Sequence, residues 1–355
     1  MMSSTRSQGL LLVNLGSPDD PTVPAVRRYL DQFLMDERVI DIHPLLRNLL
    51  VRGIILNTRP KKTAAAYRKV WSEEGSPLIV TSKKLTEEVR ALWQGPVALG
   101  MRYGNPSIAS ALDELGQAGA DEVIVVPLYP HYSMSSYETA VAKVLEDLSR
   151  MADPIQVHFL QPFYDHPIYR KVIAEVTAPY LEGQWDHLLF SFHGLPVRHI
   201  EKRDVSGCYC LKTDDCCFTD HPATPMCYRA QCRRTARYLA EDLGLAADQW
   251  SVAFQSRLGN DPWLEPATEP TIERLAREGI KNLKIICPAF VADCLETVEE
   301  IDMAAREVFM KAGGKQFETI PCLNADPRWA QAIVEMAPEA LQRRAAAGAD
   351  GVISQ

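Results

Sequence analysis

The chain carries an internal repeat, and this limits its fold more than any other feature. Gly9-Leu-Leu-Leu-Val-Asn-Leu-Gly-Ser-Pro18 is an apolar run leaving into a Gly/Pro turn, and His187-Leu-Leu-Phe-Ser-Phe-His-Gly-Leu-Pro196 repeats the pattern. Matched without gaps, Gly16 falls on Gly194, Pro18 on Pro196 and Leu15 on His193. Further on, Val97-Ala-Leu-Gly-Met-Arg-Tyr-Gly-Asn105 is answered by Val252-Ala-Phe-Gln-Ser-Arg-Leu-Gly-Asn260. Each copy continues through a helix-patterned stretch (Ile108 to Ala118; Pro270 to Glu278), a Gly, and an apolar run ending at Pro (Glu122 to Pro127; Leu283 to Pro288).

Short, wholly apolar strands alternating with helices indicate parallel βαβ units covered on both faces. The expected class is therefore α/β, with two similar Rossmann-like domains over residues 1–165 and 166–355, each a small parallel sheet flanked by helices. A length of 355 residues suits two domains. Ligands in such sheets lie beyond the carboxyl ends of the strands. Chemistry is expected at Leu15, Arg102, Tyr129, His193, Gln255, Arg257 and from Phe290 to Glu296. The repeated Gly and Pro residues need only a backbone explanation.

The first half alone holds an insert from about residue 33 to 77. In it Leu45, Leu46, Leu49, Leu50 and Ile54 recur at helical spacing, with Arg47 and Arg52 between them. This predicts a helix burying its apolar face in the protein. The alternative is an apolar lip over a hydrophobic substrate, touching a membrane.

A net charge of −8 argues against nucleic acid as a partner and suits a cation or small molecule. Leu10 to Val13 is too short for a secretory segment, and no run reaches the length of a membrane span, so a cytoplasmic, soluble or peripheral protein is expected. In a reducing compartment clustered cysteines bind metal more often than they pair.

Two segments carry candidate chemistry. Ser191-Phe-His-Gly-Leu-Pro196 sets the His193 imidazole at a strand exit, where it can act as a base. From Pro288 to Asp302 a strand end runs into a helix dense with carboxylates. At α-helical spacing Asp293, Glu296, Glu299 and Glu300 share one face, whose repulsion a divalent cation would relieve. Glu299 alone reads as a solvated charge at a helix start.

Together these segments resemble the ferrochelatase family. Leu12-Val-Asn-Leu-Gly-Ser-Pro18, Arg59 with Tyr67, Gly75-Ser-Pro77, Met101-Arg-Tyr103, Tyr129-Pro-His-Tyr-Ser133, Gln255-Ser-Arg257 with Trp263, and Phe290 to Glu300 occur in family order, from about Gly9 to Val334. The resemblance implies insertion of Fe²⁺ into protoporphyrin IX, with His193 accepting pyrrole protons and Glu296 its partner across the cleft. It implies an acidic path for metal or protons through His193, Asp293, Glu296 and Glu300. It also implies porphyrin contacts at Leu15, Arg59, Tyr67, Ser76, Arg102, Tyr103, Tyr129 and Trp263, with Arg59 and Arg102 pairing the propionates. Many family members carry a His two residues before the Glu, where this chain has Cys294. Six aromatic Trp and twelve Tyr residues suit a flat ligand.

Six of the nine cysteines fall between Cys208 and Cys232, in an insert of about residues 203–232. A soft four-coordinate site needs four thiolates. Cys210, Cys217, Cys227 and Cys232 are the expected ligands, with Cys208 and Cys216 as substitutes and His221 a loop residue. Some bacterial ferrochelatases carry a 2Fe–2S cluster on internal cysteines, which makes that the first expectation and structural Zn²⁺ the rival. Three alternatives stand beside this function. They are a coproporphyrin III ferrochelatase, a haem- or metal-sensing protein on a chelatase scaffold, and a two-lobed periplasmic-type metal-binding protein, the last disfavoured by the lack of a signal peptide. Oligomeric state is not legible.

Overall fold

The computed structural model describes residues 7–342, apart from 214, 258 and 260. The repeat is real in three dimensions. In the first half β1 (Gln8–Ser17), β2 (Val97–Gly104), β3 (Glu122–Pro127) and β4 (Gln156–Phe159) form a parallel sheet in the order β2-β1-β3-β4. In the second, β5 (His187–His193), β6 (Trp250–Gln255), β7 (Asn282–Ile286) and β8 (Gln316–Thr319) repeat it as β6-β5-β7-β8. Apolar side chains on both faces of the central strands explain the parallel pairing.

The register adds a correction to the gapless match. Leu10 pairs with Val97, but Phe190, not Leu188, pairs with Val252. Relative to its neighbour, β5 has slid by two residues, a step that leaves every side chain on its own face because strands repeat every second residue.

The halves are sewn together. Leu10 and Leu12 of β1 share one core with Leu188, Phe190 and Phe192 of β5 and with Trp329. Each large apolar side chain so buried stabilises the fold by roughly 1.5–3 kcal/mol. The helix after β4, Pro167–Thr177, packs on Tyr228–Asp242 of the second half, whereas the helix after β8, Pro327–Met336, crosses back onto Pro77–Leu92 of the first. The expected boundary near 165 falls in the turn before the first of these exchanged helices.

The insert departs from expectation. Leu45, Leu46, Leu49 and Ile54 point outward, Leu45 being 76% exposed, while Arg47 and Val51 are buried. The reason is local geometry. A short α-helix, Pro44–Asn48, passes into a π-helical segment, Leu49–Ile55, whose wider turn invalidates an α-helical face count. The inward positions pack on Tyr29, Leu30 and Leu34 of helix Val23–Leu34. No helix among the described residues is long and apolar enough to cross a membrane.

Candidate functional site

His193 ends β5 opposite Gln255, as the repeat predicts. Its Nδ1 donates to the Gly194 carbonyl at 2.6 Å, so in the neutral ring Nε2 is the nitrogen that can accept a proton. Gly194 is required there because an added Cβ would lie 2.8 Å from the Gln255 carbonyl oxygen and 3.2 Å from the Trp263 ring. Phe290 flanks the imidazole, ring centres 6.3 Å apart.

The four carboxylates do not all share one face. The segment Glu296–Ala305 is π-helical, and each acid turns to a different partner. Asp293 accepts from Thr297 Oγ1 at 2.9 Å and from Asn324 Nδ2 at 2.6 Å, while its own N–H donates to Asn324 Oδ1. Both its oxygens thus accept from protein donors. Glu299 pairs with Lys69 of the first half at 2.6 Å, so it is a tie between halves and not a free surface charge. Glu296 lies near enough to Tyr29 and Tyr67 to raise their hydroxyl pKa, secondary to burial.

Glu300 lies close enough to the imidazole to feel its charge. Burial pushes its pKa up and the Glu296 charge adds to this, while hydrogen bonds from Ser256 and the charge of His193 pull the other way. Ser256 donates both its N–H and its hydroxyl to this carboxylate, at 2.7 and 2.5 Å.

Of the expected porphyrin contacts, Leu15, Arg59 and Trp263 are half-buried and Tyr67, Ser76 and Tyr129 buried. The buried Tyr129 hydroxyl has no hydrogen-bond partner among the described residues. Arg59 likewise makes no hydrogen bond or ion pair among the described residues. Arg102 differs, since its guanidinium is paired with the buried Asp36 and donates to Thr139 at 2.7 Å. Tyr103, 1% exposed, donates to the same Asp36. A propionate would have to displace Asp36 from Arg102.

Five of the six insert cysteines are buried, and only Cys208 is exposed. Cys210 and Cys227 are within hydrogen-bonding reach, and Arg229 donates to Cys217 at 3.3 Å and to Cys216 at 3.6 Å. Burial pushes the Cys217 thiol up to about 12, countered by Arg229. All nine cysteines are free. Among the described residues no three His, Cys, Asp or Glu side chains stand in an arrangement able to hold a metal ion, in the insert or around His193. His221 stacks on Tyr209, centres 3.6 Å apart, in keeping with a loop role.

Sequence reasoning missed Lys69 and the role of Ser256. The first left no signal, while the second stood in the Gln255-Ser-Arg257 motif and carries a left-handed backbone, φ 68°, that a sequence does not display.

The family model described as ferrochelatase matches residues 7–341. The ferrochelatase of Opitutus terrae is 50% identical over 325 residues, covering 90% of this chain and 94% of that protein. The ferrochelatase of Stutzerimonas stutzeri is 49% identical over 339 residues, covering 94% and 99%. Among solved structures, SirB from Bacillus subtilis with Fe³⁺ aligns over 96% of this chain and 98% of its own, with a TM-score of 0.52 at 13% identity, a likeness of fold.

Proposed function

The chain belongs to the ferrochelatase family, and from that premise we propose that it inserts Fe²⁺ into protoporphyrin IX to form protohaem, the two pyrrole N–H protons leaving as the metal enters. It is a metal chelatase, and ferrous iron is its substrate. The observation that carries the assignment of roles is the open Nε2 of His193, whose tautomer is set by the bond from Nδ1 to Gly194. An imidazole is a base suited to neutral pH. His193 takes a pyrrole proton, Glu296 works with it, and Glu300, whose pKa burial raises, receives protons beyond it. Leu15, Tyr67, Ser76, Tyr129 and Trp263 are the proposed walls of the macrocycle, and the unpaired Arg59 suits a propionate better than the committed Arg102.

Anaerobic Fe²⁺ insertion assays with protoporphyrin and coproporphyrin test this reading. His193→Ala and Glu296→Gln are each expected to lose at least about 10²-fold in rate. Full rates in both would remove the catalytic assignment, and equal or greater turnover of coproporphyrin would reverse the substrate choice.

We also propose that the cysteine insert holds a 2Fe–2S cluster on Cys210, Cys217, Cys227 and Cys232, with Zn²⁺ as the rival. The soft donors and their burial support it, although their present spacing is not closed on a metal. Such a group would tie the insert together, and no step of metal insertion passes through it. A colourless, zinc-containing protein after anaerobic purification would remove the iron–sulfur assignment.

Exposed Leu45, Leu46, Leu49 and Ile54 support peripheral contact of the insert with a lipid surface. Co-sedimentation with phospholipid vesicles that survives Leu46→Ser/Leu49→Ser unchanged would refute it.

A further inference from the structure

Helix Tyr228–Asp242 begins immediately after Cys227 and buries Tyr228, Gln231 and Thr235, spaced i, i+3 and i+7 and so on one face. Each of the three hydrogen-bonds a residue outside the helix. The Tyr228 hydroxyl donates to the His193 carbonyl at 2.9 Å. Gln231 Oε1 accepts from the Tyr132 N–H at 2.6 Å, and Thr235 shares a 2.8 Å hydrogen bond with His131 Nε2. The first of these contacts reaches the second half of the chain, the other two the loop after β3 in the first half.

The contact to His193 is the consequential one. The peptide between His193 and Gly194 is gripped on both sides, its carbonyl by Tyr228 and its N–H by the Gln255 carbonyl at 2.7 Å. The imidazole is in turn pinned to the next carbonyl, that of Gly194. Rotation of this one peptide plane would swing both the backbone that carries the ring and the acceptor that fixes its tautomer, and so would re-aim Nε2. The Tyr228 ring is itself braced by His131, centres 6.0 Å apart at 76°, and His131 also packs edge-on against Phe192 at 5.5 Å. Burial pushes the pKa of His131 down to about 3, so it is a neutral brace and not a second base.

We infer that Tyr228 is a positioning residue for His193, fixing the peptide from which the imidazole is aimed. The inference rests on the reading of His193 as the proton acceptor. Tyr228→Phe keeps the ring packing and removes only the hydroxyl. Its kcat for iron insertion should fall about tenfold with the KM for protoporphyrin within about twofold, because a misaimed base costs the reaction and not the binding of porphyrin. Its pH profile of kcat should shift with it. Leu239→Ala opens a cavity under the same helix about three turns beyond Tyr228 and should leave both kcat and profile unchanged. Tyr228→Met, a second filling of the same space without a hydroxyl, should behave as Tyr228→Phe if the latter folds poorly. Wild-type kcat and pH profile in the Tyr228 variants, or an equal loss in Leu239→Ala, overturns the inference. If that happens while His193→Ala is inactive, the positioning role alone has failed. Full activity in His193→Ala would instead mean that the base assignment beneath it is wrong.

Discussion

Ser256 holds Glu300 by two hydrogen bonds, one from its backbone N–H at 2.7 Å and one from its hydroxyl at 2.5 Å. It does so from a left-handed conformation, φ 68°, which is uncommon for a residue with a Cβ and concentrates at functional sites. Hydrogen bonds of this kind stabilise the ionised carboxylate and oppose the upward push of burial. Ser256→Ala removes one of them, so the pKa of Glu300 should rise further and the acid limb of the kcat profile should move to higher pH. Rate measurements across the acid limb check this. An unmoved limb would mean that Glu300 does not titrate in the rate-limiting step.

Asp41 reaches from the first-half insert to helix Val197–Lys202, where Arg198 at 2.6 Å, His199 at 3.2 Å and Lys202 surround its buried carboxylate. Burial raises its pKa, but the hydrogen bonds from Lys202 and Arg198 and the His199 charge outweigh that and hold it well below the usual carboxylate range. A depressed folded pKa stabilises the protein above the unfolded value, about 3.9, and that stability is lost as pH falls below it. Asp41→Asn should therefore cost about 1–3 kcal/mol at pH 7. Urea unfolding should show the gap to the parent protein closing steadily as pH drops below about 4.

Arg59 and Arg102 look alike in sequence and should separate under mutation. Arg102→Ala leaves the buried Asp36 carboxylate without its cation and is expected to destabilise the fold by about 3–5 kcal/mol. Arg59→Ala should leave melting within about 0.5 kcal/mol of the parent and raise the KM for protoporphyrin. Thermal melts read beside steady-state kinetics distinguish the two, and an equal loss of stability in both would contradict the pairing.

Gly16 adopts φ 105°, and a Cβ there would stand 1.8 Å from the Tyr103 carbonyl oxygen. Gly16→Ala should cost at least about 2 kcal/mol, from strain and backbone displacement together. The melting temperature measures it. A melt unchanged from the parent would show that β1 and β2 can separate at their ends without cost.

The repeat was legible because apolar strands, turns and Gly positions are local features, and two parallel sheets of identical strand order follow from them. His193 was legible for the same reason, as a strand end in a parallel sheet. The acidic segment was misread where it mattered. A face count assumes 3.6 residues per turn, and nothing in Glu296 to Ala305 announces the i→i+5 bonding that sends Glu299 and Glu300 to Lys69 and Ser256, while Asp293, just ahead of that segment, goes to Asn324. The leucines of the insert failed in the same way, at Leu49–Ile55.

By itself, then, the sequence determined the duplicated α/β architecture, the strand ends at which the proposed chemistry is placed and the cysteine-rich insert, all set by short-range patterns. Only the tertiary structure decided which groups remain available for chemistry. Asp36 claims Arg102, Asn324 claims Asp293, and Tyr228 holds the peptide of His193. Those pairings join residues 31 to 66 positions apart, and a buried polar group takes whichever partner packing delivers to it.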